Sequence, residues 1–293
     1  MRRIVIAALV LALGSLACSD GDASIAADGT GSDTSADPAS PPGSDTLYQG
    51  TFTVLESPDH GPQLCTSVAQ SYPPQCSGPD VDSWDWSTVD AESANGTTWG
   101  HYAVTGTWDG DSLTLTKAPS EPDRDDRAPS DTEFPTPCDP PADGWTVTDP
   151  ETATVEGREA ATDYAQAQSD FGGLWVDRSF DPDTDVHPIA GVILNVQFTG
   201  DLERHESELR ERFGGPVCVS RSEHTEAELR AIQQSTYEEI DDAHYASTDI
   251  VRGVVEIGVF VTDPTVQAAL DEEHGAGVVE LVPALHPVDG EPQ

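Results

Sequence analysis

The sequence predicts an α+β chain: a small N-terminal β-barrel or roll, then an α/β-sandwich region with a duplicated βαβ unit. Three observations predict it. Between Leu47 and Lys117 apolar and polar residues alternate with the period of two that half-buried strands need. Beyond Val192 a strand, helix, strand pattern occurs twice. The segments read as helices there carry start and stop signals of their own.

Taken in order, Arg2 and Arg3 precede an apolar run from Ile4 to Leu13, and the small residues of "GSLAC" lead to Cys18. That is the build of a secretory signal peptide over residues 1–17. The run is shorter than the ~20 residues a membrane span needs, and no later stretch is apolar for long enough. Residues 18–46 are Gly, Ser, Pro, Ala and Asp with almost no large apolar side chain, so they predict a disordered tether of roughly 30 Å root-mean-square reach.

The β region spans residues 47–117. "LYQGTFTVLE" alternates with threonine, and "WDW" sets Trp84 and Trp86 on one strand face. "HYAVTGTWDGDSLTLT" reads as a hairpin with Tyr102, Val104 and Trp108 on one side, Thr105 and Thr107 on the other, and Leu113 and Leu115 after the turn. Asp109 and Gly110 fit a two-residue type I′ turn, where positive φ favours glycine. A connector rich in Pro and Asp follows over residues 118–150.

Residues 151–288 form the α+β region, before a tail at 289–293. "TATVEGREAATDYAQAQ" predicts a helix despite Gly157, and "GLWV" at 173–176 a strand. In the repeat, Val192, Leu194, Val196, Phe198 and Thr199 match Val255, Ile257, Val259, Val261 and Thr262. After a two-residue slip, Leu209, Phe213, Gly214 and Val217 match Leu270, His274, Gly275 and Val278. Asp263 with Pro264 is an N-cap before a first-turn proline, and Gly214 and Gly275 sit where a left-handed terminator belongs. Between the copies Thr225 and Glu228 form a capping box, and Leu229, Ile232, Thr236 and Ile240 line one helix face. Acidic outer faces predict helices on one side only of a mixed sheet.

A small residue directly before Cys18 resembles the lipobox of bacterial lipoproteins, although Ser15 stands where Leu is usual and Leu16 comes one place later. The resemblance implies lipidation of Cys18, while "SLA" also suits an ordinary signal peptidase. A lipidated Cys18 leaves Cys65, Cys76, Cys138 and Cys218, an even set for an oxidising compartment. Of three connectivities, Cys65 with Cys76 is the natural couple, leaving Cys138 with Cys218. His60 beside Cys65 lacks the paired ligand spacing of a zinc site, and a free thiol with His60 as base is out of place outside the cell.

The stretches "SPDHGPQLC", "YPPQCSGPDVDSWDW", "GTWDGDSLTLT" and "VVEIGVFVTDPTVQAALDEEHGAGVVELVPALHPV" resemble secreted actinobacterial lipoproteins of unknown function. The likeness covers most of residues 47–288 and brings no activity with it. "FGGLWVDRSF" before the βαβ repeat is similar to pro-regions of bacterial serine peptidases, which fold beside their enzyme and inhibit it.

Formal charge is −41, and loss of Arg2 and Arg3 with the signal gives 11 − 54 = −43 for the mature chain. Such a field repels nucleic acid and anionic membrane surfaces. The chain has no hydrolase elbow, zincin helix, P-loop or dinucleotide glycine signature. His224 and Glu226 give the H-x-E of zinc deaminases without the paired cysteines. Asp181, Asp183 and Asp185 begin a calcium-loop spacing, yet Val186 replaces its glycine and no twelfth-position Glu follows. Trp84 and Trp86 fit a stacking platform or a barrel core. No catalytic residue, cofactor or metal is therefore assigned. The expectation is a membrane-moored, non-enzymatic envelope protein that binds a protein, peptide or wall component, with an exposed sheet edge as one contact. A peptidase-inhibitor module and a secreted hydrolase are the alternatives.

Overall fold

Residues 46–122, 134–178 and 192–288 are described by the structure, a computed structural model. The expected signal peptide, Cys18, the expected tether through residue 45, residues 289–293 and the stretch with Asp181, Asp183 and Asp185 lie outside them. Four helices and thirteen strands in three sheets give the described part a mixed α+β architecture.

The first sheet is built from β1 (Leu47–Ser57), β2 (His60–Cys65), β3 (Asp80–Asp82), β4 (Glu92–Ala94), β5 (Thr97–Trp108) and β6 (Ser112–Leu115). Its spine is the antiparallel ladder of β1 on β5, continuous from Leu47 opposite Thr107 to Glu56 opposite Thr98. The other way round, β1 pairs β2, β2 meets β3, β3 runs parallel to β6, and β6 returns to β5. Five strands thus close a ring, while β4 pairs with the start of β5. The seam of β2 on β3 is a single residue pair, Gln63 with Asp80, so the ring corrects the expected barrel or roll.

Period-two alternation places Tyr48, Phe52 and Val54 of β1 and Tyr102 and Val104 of β5 inside this ring, with Leu64, Val81 and Leu113. The hairpin turn is shifted by one residue from its sequence reading. Trp108 pairs Leu113 and Asp109 N donates to Ser112 O, so the central residues are Gly110 and Asp111, and only Gly110 has positive φ, at 107°. Asp109 does better as a flank, because its Oδ1 accepts from the Asp111 and Ser112 amides at 2.9 and 2.7 Å.

The C-terminal half contains α1 (Val155–Gln166), β7 (Phe171–Asp177), β8 (Ile193–Phe198), α2 (Leu202–Arg212) and β9 (Val217–Arg221). The same order returns in α3 (Glu226–Glu239), β10 (Tyr245–Asp249), β11 (Val254–Val259), α4 (Pro264–His274) and β12 (Val279–Pro283). In each copy an antiparallel hairpin follows a helix, and a second helix leads to a third strand parallel to the middle one. The repeating unit is αββαβ, larger than the βαβ read from sequence. Its strands form two separate three-stranded sheets rather than one. By strand bounds Ile193 answers Val254, two residues from the sequence match of Val192 with Val255. A two-residue shift keeps each side chain on its face, so the apolar pattern fits both registers.

Helix ends explain most boundaries. Thr154 caps α1 by accepting from the Gly157 amide at 3.0 Å, and the Thr225–Glu228 capping box is complete. Asp263 accepts from the Thr265 amide, with Pro264 in the first turn of α4. Gly275 ends α4 at φ 100°, but Gly214 has no positive φ, which corrects its reading as a terminator. Its carbonyl accepts from the Thr148 and Asp149 amides at 2.7 and 3.2 Å, and a Cβ there would stand 2.2 Å from the Asp149 carbonyl oxygen. Close passage of the connector, not a left-handed cap, requires this glycine.

The two halves share a core. Phe260, just past β11, stacks on Phe52 and Trp108 with ring centres 6.3 and 5.4 Å away, and Leu285 is fully buried in the same cluster. β13 (His286–Pro287) then pairs β1 at Gln49 and Tyr48.

Candidate functional site

Cys65 is bonded to Cys76 and Cys138 to Cys218, each with Cα atoms 5.8 Å apart. Closing separations of 11 and 80 residues stabilises by about 3 and about 4.5 kcal/mol on the chain-entropy view. These bonds fit an oxidising, extracytoplasmic environment. Among the described residues no helix is long and apolar enough to cross a membrane. His60 directs Nδ1 to the Gly61 carbonyl at 2.8 Å, and its neighbour Cys65 is consumed by the disulfide.

Trp84 and Trp86 leave strand geometry, because Asp85 caps a short 3₁₀ turn at Trp86–Thr88. The indoles meet edge to face at 5.1 Å and both lie against Tyr102, at 5.1 and 6.3 Å. They pack on the ring core, so their faces are largely taken by the protein itself. His224 and Glu226 flank the capping Thr225, and Glu226 pairs with Arg230 one turn along α3. That is the geometry of a helix start. Asp181, Asp183, Asp185 and Cys18 fall outside the described residues.

The sheet edges of the second copy are covered by glutamine carboxamides. Gln267 of α4 donates to the Val279 carbonyl at 2.8 Å and accepts from the Leu281 amide at 3.0 Å, mimicking a neighbouring strand along β12. Gln233 of α3 donates to the Ala246 carbonyl of β10 at 2.8 Å. In the first copy Arg210 donates to the Val217 carbonyl of β9 at 3.3 Å, its guanidinium steadied by Glu206. These groups of β9, β10 and β12 are thus engaged where an incoming strand would bond.

Where the two copies meet lies a cleft of about 190 Å³, which no sequence motif announced. The first copy supplies Gln197 of β8 and Arg221 and Ser222 at the end of β9. The second supplies the turn Val251–Val254 and the loop Ala276–Val278, and His224 stands between. Of two adjacent glycines, Gly173 allows this approach and Gly172 lets β7 pass close to Ser222 of its own copy. A Cβ on Gly172 would stand 2.6 Å from the Ser222 Cβ, and one on Gly173 would stand 3.2 Å from the Ile250 Cβ. The "FGG" of β7 was therefore the available signal. Arg252 in the cleft wall is neutralised, its Nη2 reaching both Glu280 oxygens at 2.6 Å and Nη1 reaching Glu256 at 3.3 Å.

A second polar cluster ties α1 to α2. His205, fully buried, stacks on Phe198 at 3.7 Å, places Nε2 2.9 Å from Asp170 Oδ2 and Nδ1 3.0 Å from the Tyr164 hydroxyl. Burial acts to raise the Asp170 carboxyl, and the hydrogen bond and charge of His205 with Arg204 outweigh it, holding the group below the usual carboxylate value. Arg204 joins the cluster, its Nη2 3.0 Å from the same His205 Nε2 and its Nη1 donating to the Tyr164 hydroxyl at 3.2 Å. Arg212 sits over the Tyr164 ring at 4.4 Å. Hydroxyl, imidazole and carboxylate in series can pass a proton, yet Phe198 roofs the imidazole, so the cluster acts as a polar staple. The second copy dispenses with it. Four residues before the buried Leu270, where His205 precedes Leu209, stands exposed Val266.

Fold and site together define a disulfide-stapled α+β protein with a duplicated αββαβ unit and a polar cleft between the copies. Compared with known protein families, curated proteins and solved structures, the chain matches none.

Proposed function

We propose that the chain is a lipid-anchored accessory protein of the outer face of the cell membrane, binding its ligand in the cleft between the copies without transforming it. The observation that carries the reading is that cleft. Both copies build it, its glycines and buried Gln197 and Ser222 keep it narrow, and its Arg221 forms no ion pair with a described carboxylate. The signal-like run ending at Cys18, the resemblance to secreted actinobacterial lipoproteins and the two disulfides support the location.

The test is metabolic labelling with an alkynyl palmitate in a bacterial host, followed by membrane fractionation. Wild type is expected to carry label and sediment with membranes, and Cys18→Ala to lose both. Unlabelled mature chain in the medium would overturn the anchor. Specific labelling of one residue by serine- or cysteine-hydrolase probes would overturn the non-enzymatic role.

A further inference from the structure

The cleft narrows its own ligand, and the step rests on the binding reading above. Arg204, Arg210, Arg212, Arg230 and Arg252 are each drawn into ion pairs with neighbouring acids. Arg221 is not. Its Nη1 donates to the Thr199 carbonyl at 2.6 Å, which fixes the guanidinium, and no described carboxylate stands within 4.0 Å of it. Glu223 lines the same cleft without reaching it. Arg158 and Arg178 likewise have no described carboxylate partner, and of the three Arg221 is the one that lines the cleft.

Three further features limit what can sit against it. The second copy lines the cleft with Val251, Val254, Ala276 and Val278 among polar and glycine neighbours, which leaves room for a small side chain. Gln197, 7% exposed, and the buried Ser222, whose hydroxyl donates to the His224 carbonyl at 2.6 Å, bring polar groups to the cleft. At about 190 Å³ the space is below the ~300 Å³ lower bound of drug-sized ligand pockets and suits a single residue. A net charge of −41 disfavours a dianion such as phosphate more than a monoanion.

We infer that the cleft takes the C-terminal residue of a peptide, its free carboxylate forked by Arg221 and its side chain a small one. A planar guanidinium and a carboxylate match in two parallel hydrogen bonds, and capture of a chain end is an established recognition mode. Ligand selection then depends on the terminal charge. A chain ending in an amide, or a peptide read only along its length, lacks the group that Arg221 awaits.

The experiment titrates the full mature chain with acetyl-Ala-Ala bearing a free carboxylate and with its C-terminal amide, followed by calorimetry and amide chemical shifts. The acid is expected to bind at least about tenfold tighter than the amide. Arg221→Gln is expected to lose about tenfold in acid affinity at an unchanged melting temperature, and Arg221→Lys, which keeps charge without the fork, to fall between. Equal binding of acid and amide, unchanged affinity in Arg221→Gln, or no acid binding at millimolar concentration overturns the inference. Should Arg221→Gln fail to fold, Arg221→Lys and the acid-to-amide ratio decide. Inorganic phosphate binding more tightly than the acid also overturns it. A chain acylated at Cys18 that fails these titrations leaves the anchoring proposal standing, so the two failures are separate.

Discussion

His244 stands between the rings of Tyr245 and Phe260, 5.2 and 5.0 Å away, with Nδ1 buried and unpartnered. Burial is the larger influence and pushes its imidazole below the ordinary histidine value, against the opposing pull of Asp242. The folded state therefore holds His244 neutral while the unfolded chain takes the proton more readily. Its stabilising contribution is complete above the usual histidine range and is lost as pH falls through the depressed folded value. Melting temperatures between pH 7.5 and pH 5 should fall less steeply for His244→Phe than for wild type, and parallel curves would count against this. Nothing in the sequence singled out His244 or the Asp170–His205–Tyr164 staple. Phe260 and the partners within the staple come from elements separated by loops whose lengths follow no motif, so spacing carries no trace of them.

At the scale of elements, the strands that face solvent are protected one side chain at a time. Gln267→Leu removes the groups that hold the Val279 carbonyl and Leu281 amide. It should destabilise by about 1–2 kcal/mol and promote self-association along β12. Urea midpoints and sedimentation at rising concentration measure the two effects. An unchanged midpoint with unchanged sedimentation would show that water serves the edge as well. Helix ends were legible in the sequence because a cap is a local device: Thr225 with Glu228 and Asp263 with Pro264 act within one turn. The duplication was only half legible, for a geometric reason. Asp177 and Asp249 end the first hairpin strands 72 residues apart, while Ile193 and Val254 open the second strands 61 apart. The hairpin loop has fifteen residues in the first copy, 178 to 192, and four in the second, 250 to 253. A comparison at nearly constant offset sees the part after that loop and misses α1 with α3 and β7 with β10.

Across the whole molecule, the ring core depends on residues from the far end of the chain. Phe260→Ala should destabilise by about 3–5 kcal/mol, since it removes a ring packed on Phe52 and Trp108. Four of the six tryptophans, Trp84, Trp86, Trp99 and Trp108, lie in or beside the first sheet, whereas the helices belong to the repeat. Fluorescence and far-ultraviolet dichroism should therefore move together on urea unfolding of this variant. A fluorescence shift without a matching loss of helix would show that the halves unfold separately. Alternation made the ring strands readable, but not that Phe260 and Leu285 would fill the space between them, because a buried aromatic after a strand reads as core of its own sheet. The pairing of the first described strand with the last has a kinetic side. Val288 N donates to Leu47 O at 2.8 Å, so the seam beside β1 waits for residues 286–288 to appear. A chain threaded out of a pore from its N-terminus would therefore hold β1 without this neighbour until residue 288 had emerged, about 240 residues later.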